Sequence, residues 1–145
     1  MSSSIDNSDI LNVLREKTAK KVTFHACFPN PYSTLMKCYS AFFSMSEEEL
    51  IMRINKNINI IRSLKENLSQ DKKNNIKIIT REYPISASAY IIDNGTKSCK
   101  VLLDHKLPNT ERFFSYGFEI HGYNNQFCDN IINSYQILLN KGTEI

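Results

Sequence analysis

The chain has 145 residues, 41% of them hydrophobic and 23% charged, with a formal net charge of +3. That is enough chain for one domain with a real core, so 1–145 is read as a single domain whose first seven residues form a flexible N-terminus. No run approaches the roughly 20 apolar residues of a membrane-spanning helix, and the opening Met-Ser-Ser-Ser-Ile-Asp lacks both parts of a secretory signal. The expectation is therefore a cytoplasmic protein with no membrane contact. Its basic side chains, at 20–21, 72–73, 97 and 100 among others, are scattered rather than gathered into a nucleic-acid stripe.

Asp6 to Lys20 predicts a helix with Ile10, Leu11, Val13 and Leu14 on one side and a basic exit. Val22 to Phe28 alternates as a strand should: Val22, Phe24, Ala26 and Phe28 share one face, Thr23, His25 and Cys27 the other. Asn30-Pro31 reads as a helix start, a cap followed by proline in the first turn. Leu35, Met36, Tyr39, Phe42 and Phe43 then recur at spacings of three and four until a break near Ser44. A second helix begins at Ser46, where Ser46 and Glu49 make an S-x-x-E capping box and Met45 and Leu50 a hydrophobic staple. Leu50, Ile54, Ile58, Ile61, Leu64 and Leu68 continue it as an apolar stripe, and the polar run 69–75 is a loop.

Ile76 to Glu82 is the second strand and Ile85 to Ile92 the third, with Pro84 as a break or bend between them. Asp93-Asn94-Gly95-Thr96 predicts a tight hairpin, because Asn-Gly accepts the positive φ angles of a type I′ turn. Ser98 to Leu103 is the returning strand, and Asp104-His105-Lys106 reads as a solvated loop. After a Pro108-Asn109 turn, Arg112 to His121 is an aromatic strand. A last helix, capped by Asn124 or Asn125, carries Phe127, Cys128, Ile131, Ile132, Tyr135, Leu138 and Leu139 and stops at Lys141-Gly142. The order predicts an α/β (α+β mixed) fold: a mixed parallel and antiparallel sheet of about five strands flanked by helices. A long helical crossover would join the first two strands.

Few motifs carry chemistry. With 4 glycines in the chain, neither G-x-x-x-x-G-K-[ST] nor G-x-G-x-x-G is present. The four cysteines, Cys27, Cys38, Cys99 and Cys128, make no C-x-x-C pair and sit in apolar elements, so they are expected as buried reduced thiols. His25, Glu119 and His121 are the candidate acid/base set, with or without a metal; His25 could meet His121 if the first and last strands exposed one face, and Cys27, two residues along, would then complete a His/His/Cys zinc site. No short ligand spacing supports a metal, and no metal or other cofactor is expected.

The stretch Ser86 to Asp93 reads S-x-S-x-x-x-x-D. Its spacing resembles the H-x-K-x-x-x-x-D strand of the phospholipase D superfamily, with serine at both the histidine and the lysine positions. The layout from about Leu11 to Ile120 is similar to one half of that fold in its prokaryotic, motif-degenerate form, without the strand that usually opens the half-domain. The resemblance implies a groove at Ser86, Ser88 and Asp93 that binds a nucleotide or another phosphorylated small molecule, or else a protein partner or second copy. It also implies no histidine-type turnover. A serine without an adjacent base is a poor nucleophile, and loss of the lysine removes electrostatic stabilisation of the transition state. The expectation is a non-catalytic binding domain with a sensory or accessory role in bacterial regulation or defence. A small metal-dependent or acid/base hydrolase of phosphate-containing substrates and a protein-interaction or dimerisation module are the alternatives.

Overall fold

The computed structural model describes residues 8–19, 22–82, 87–94, 96–105, 116–121 and 125–145. Among them are four α-helices and six strands. The helices are α1 (Ser8–Ala19), α2 (Met36–Phe42), α3 (Glu47–Glu66) and α4 (Gln126–Asn140). The strands are β1 (Phe24–Pro29), β2 (Ile76–Arg81), β3 (Ala87–Ile92), β4 (Lys100–His105), β5 (Tyr116–His121) and β6 (Thr143–Glu144). The fold class is the mixed α/β expected. The strands, however, form two three-stranded sheets, ordered β1-β2-β6 and β3-β4-β5, rather than one sheet of about five. Pro84, a residue with no N–H to give a ladder, belongs to the 83–86 stretch between β2 and β3, which lies outside the described residues.

In the first sheet β1 and β2 run parallel from Phe24 opposite Ile76 to Pro29 opposite Arg81. The crossover between them holds α2 and α3. Alternation along β1 places Phe24, Ala26 and Phe28 against α3. There they join Ile76 and Ile78 of β2, Met36 and Tyr39 of α2, and the Leu50, Ile54, Ile58, Ile61 and Leu64 stripe of α3 in the main core. The entry of α3 is set locally: Ser46, in extended backbone, accepts the Glu49 N–H at 3.1 Å. The return arm of the expected capping box is redirected, because the Glu49 carboxylate takes Arg53 at 2.6 Å one turn on.

The helix expected at Asn30 starts later, at Met36. Asn30 Oδ1 accepts from Tyr32 N and Ser33 Oγ from Leu35 N, so two side-chain-stabilised turns precede the helix. The helix ends where expected. Ser44 sits in left-handed backbone at φ 51°, and Met45 N returns to Ser40 O at 3.1 Å, a Schellman-type close.

The chain leaves α4 through Lys141-Gly142 and adds β6 antiparallel to β2, Glu144 opposite Ile79 and Thr143 opposite Thr80. The last strand of the sheet is thus supplied by the last residues of the chain. This return was not expected: a two-residue strand carries no alternation to read.

In the second sheet β3, β4 and β5 form an antiparallel meander. Val101, with Ile91 and Ile120, meets Cys128, Ile131 and Ile132 of α4 in a smaller second core. The opposite end of α4 reaches the first sheet, where Arg81 donates to the Leu138 carbonyl oxygen. This helix therefore connects the two sheets.

The β3–β4 turn differs from the expected two-residue type I′ hairpin. Ile92 pairs with Lys100, which leaves residues 93–99 as the loop. Asp93 itself has positive φ, 52°, and its carbonyl accepts from Thr96 N at 3.1 Å and Thr96 Oγ1 at 2.8 Å. A second turn follows, Cys99 N to Thr96 O. The longer loop shifts β4 along the chain, so Asp104 and His105 lie in a strand instead of the expected loop.

Candidate functional site

The structure separates the residues singled out in the sequence. Ser86 lies outside the described residues, as do the N-terminal segment 1–7, Gly95, the Pro108-Asn109 turn and the first residues of the aromatic strand, Phe113 and Phe114. Ser88 stands in β3 opposite Asp104. Asp93 is exposed and serves the loop through its main-chain carbonyl.

Glu119 and His121 are brought together on β5. Glu119 Oε1 is 2.7 Å from His121 Nε2 and 3.5 Å from Lys100 Nζ of β4. Cross-strand register produces the contact, since Lys100 lies opposite His121 and Leu102 opposite Glu119. All three side chains are about half exposed or more, so water screens the group and its ion pairs contribute little.

His25 belongs to the other sheet. It lies opposite Lys77, which sits 3.8 Å from Glu144 of β6. His25 is exposed, but partial desolvation of its ring and then Lys77 lower its pKa, and Glu144 opposes them. The His25–His121 convergence that a metal would need is therefore absent, because β1 and β5 pair in different sheets. Among the described residues no group of three or more His, Cys, Asp or Glu side chains is placed to hold a metal ion.

A different site forms at the carboxyl ends of the parallel strands β1 and β2. Asn30, Thr80, Arg81, Glu82, Lys141, Thr143 and Ile145 line a cleft of about 270 Å³. Chain geometry places each of them. Asn30 and Glu82 are the residues just past β1 and β2, tied by Asn30 N to Arg81 O at 2.6 Å and by Asn30 Nδ2 to Glu82 Oε1 at 2.6 Å. Lys141 and Thr143 arrive from the α4–β6 return, and Thr80 Oγ1 donates to Thr143 O at 3.4 Å.

Arg81 is the centre of this arrangement. Its side chain is 6% exposed, and Nη1 donates to Leu138 O at 2.9 Å. The last carbonyls of a helix have no intrahelical donor. Here Ile137 O takes Lys141 N, Leu139 O takes Gly142 N, and Leu138 O takes the guanidinium. A cation at the negative end of the helix dipole is favoured there as well.

The electrostatics of the cleft follow from these contacts. Hydrogen bonds from Asn30 first and Ser33 second hold the Glu82 carboxyl below its usual range. On the α4 side of β1, burial pushes the Cys27 thiol up, with the Arg81 charge pulling the other way. Burial, then Cys27, pushes the Tyr135 phenol up.

Sequence reasoning missed this cleft because its residues were absorbed into strand ends and a helix stop. The readable signal was Thr80-Arg81-Glu82, a polar residue and two charges closing a strand whose core face carries Ile76 and Ile78. Comparison with known proteins adds no second line: no family model, no curated protein and no solved structure matches the chain.

Proposed function

We propose that this chain is a binding domain that holds a small phosphorylated ligand in the cleft at the carboxyl ends of β1 and β2 without turning it over. The observation that carries the reading is the buried Arg81, fixed through Leu138 O in a polar cleft at the sheet end where α/β proteins place their ligands. Its planar fork suits a phosphate or carboxylate. Lys141 adds a second cation at the rim, and Thr80, Thr143 and Asn30 bring hydroxyl and amide groups.

The volume lies at the lower edge of ligand pockets. It suits the phosphate end of a nucleotide or a small phosphorylated metabolite. Glu82 lines the same cleft and favours a ligand with a hydroxyl or amine beside its anionic group. Among the described residues lining the cleft there is no nucleophile with a base: the Thr80 hydroxyl is committed to Thr143 O, and none of them is a histidine. Kinship with phospholipase D-like half-domains is part of the same proposal. Its serine-for-histidine and serine-for-lysine exchanges at Ser86 and Ser88 also argue for binding without catalysis, in a sensory or accessory role.

Isothermal titration against nucleoside monophosphates, sugar phosphates and inorganic phosphate tests the reading. One phosphorylated class binds, remains intact after prolonged incubation, and binds at least tenfold more weakly to Lys141→Glu, whose exposed side chain can change without disturbing the core. Absence of heat with every probe, or affinity unchanged in Lys141→Glu, counts against this site.

A further inference from the structure

We infer that Cys99 and Cys128 are a paired dithiol that closes to an intramolecular disulfide when the protein meets a peroxide or a small-molecule disulfide, pinning the start of α4 to the end of the β3–β4 loop. The inference is independent of the ligand proposal.

The pair comes from two elements that the fold brings together. Cys99 is the last loop residue before β4, and Cys128 lies in the first turn of α4. Their side chains, 5% and 0% exposed, form the second core cluster with Val101. Both thiols are thus packed inside one small buried cluster, and burial first, then the neighbouring Cys99, pushes the Cys128 thiol up. In the structure both are free thiols. The other two cysteines are placed differently: Cys27 is half-buried in β1 and Cys38 is exposed on α2.

Burial makes such thiols slow to react, since the thiolate is the nucleophile. Proximity acts in the opposite sense once one of them has reacted, because the partner is already in place. Cys99 is the entry point. It follows Thr96, Lys97 and Ser98, all exposed, and is held to them by the Cys99 N to Thr96 O bond. Opening of that loop uncovers Cys99 while α4 stays docked.

With hydrogen peroxide, the Cys99 thiolate attacks one oxygen, the O–O bond breaks, and a sulfenic acid and water form. The Cys128 sulfur then attacks the Cys99 sulfur, the S–S bond forms and a second water leaves. With glutathione disulfide, the Cys99 thiolate attacks one sulfur, the glutathione S–S bond breaks and one reduced glutathione leaves; Cys128 then attacks the Cys99 sulfur of the mixed disulfide and displaces the second.

The test uses the reduced wild-type chain and a Cys38→Ser variant that lacks the exposed thiol. Each is treated with hydrogen peroxide or glutathione disulfide, alkylated, and digested with trypsin without reduction. The expected product is a monomer that has lost two hydrogen atoms and two of its alkylatable thiols. Its tryptic map links the peptide 98–100 to the peptide 113–141, and dithiothreitol reverses it. The thermal midpoint of the oxidised form lies above that of the reduced form. Four outcomes overturn the inference: linkage through Cys27 or Cys38, a stable adduct on Cys99 with Cys128 still free, all four thiols remaining reactive while a urea-unfolded control cross-links, or a thermal midpoint that fails to rise in the fully linked protein.

Discussion

Arg81, the last residue of β2, donates from Nη1 to the carbonyl oxygen of Leu138 at 2.9 Å and so closes the end of α4. A hydrogen bond made by a charged group contributes about 1.5–3 kcal/mol. Arg81→Met keeps the aliphatic stem but removes the donor, and is expected to lower unfolding stability in urea by about 2 kcal/mol. Arg81→Lys keeps the charge without the fork and is expected to fall between the two. Equal stability of all three proteins would show that the contact is decorative.

Gly142 has no room for a side chain. A Cβ built there would stand 2.1 Å from Ile79 Cγ2 and 3.1 Å from both Arg81 Cδ and Thr80 O. Gly142→Ala is therefore expected to lift β6 from β2 and cost about 1–3 kcal/mol, the usual range for overpacking. Amide exchange at Ile145, whose N–H bonds Ile78 O at 2.9 Å, accelerates with it. Ile79→Ala removes the clashing methyl, so the double variant should cost less than the two single variants together. Strict additivity would place the strain elsewhere.

The parts of this fold legible in the sequence are those decided within a few residues. Ser46 caps α3 because a serine and an N–H three residues on need nothing else, and Asn125 caps α4 the same way, through Phe127 N at 3.0 Å. The alternation of Phe24, Ala26 and Phe28 told which face of β1 meets the core. Asn30 shows the limit. It has the composition of a helix cap, but the chain uses its oxygen for a turn to Tyr32 N and its amide for Glu82, a partner 52 residues away. The candidate site failed for a similar reason. Arg81, Glu82, Lys141 and Thr143 meet only because the chain returns after α4 to pair with β2, and a pairing of two residues leaves no periodic trace. His25 and His121 were expected to be able to share a face, which assumed one continuous sheet; two sheets part them.

His25 gives the first pH prediction. Partial desolvation, then Lys77, favours its neutral form, with Glu144 opposing. The folded-state pKa lies below that of an ordinary histidine, so the unfolded chain takes up the proton first. Stability is expected to fall as pH drops through the ordinary histidine range and to be recovered above it. In an NMR titration Lys77→Met raises the His25 midpoint and Glu144→Gln lowers it further. Shifts of the opposite sign would refute the assigned causes.

Ser44 offers a stabilising change. It holds left-handed backbone at φ 51° at the close of α2, a conformation that costs an L-residue about 1–2 kcal/mol. Ser44→Gly relieves the strain and adds chain entropy to the unfolded state, which offsets part of the gain. The expected net effect is a stabilisation of a few tenths to about 1 kcal/mol, read from the urea midpoint at unchanged slope. A lower midpoint would mean that the serine side chain contributes more than its backbone costs.

Glu82 tests the cleft itself. The Asn30 amide, at 2.6 Å, is the larger cause of its lowered pKa and Ser33 the smaller. A depressed carboxyl contributes stability that is present above its unfolded pKa and lost as pH falls through the folded one, so this contribution disappears on the acid side of the ordinary glutamate range. Asn30→Asp keeps an oxygen for Tyr32 N but sets a carboxylate against Glu82, and is expected to raise the Glu82 midpoint in a carboxyl-carbon NMR titration. Ser33→Ala raises it less. Protonation of Glu82 also removes the one acidic side chain among the described residues lining the cleft. Affinity for a phosphate probe is thus expected to rise as pH falls through the Glu82 midpoint, and the rise should shift to higher pH in Asn30→Asp. A phosphate affinity that ignores the Glu82 midpoint in both proteins would separate the anion site from this cleft.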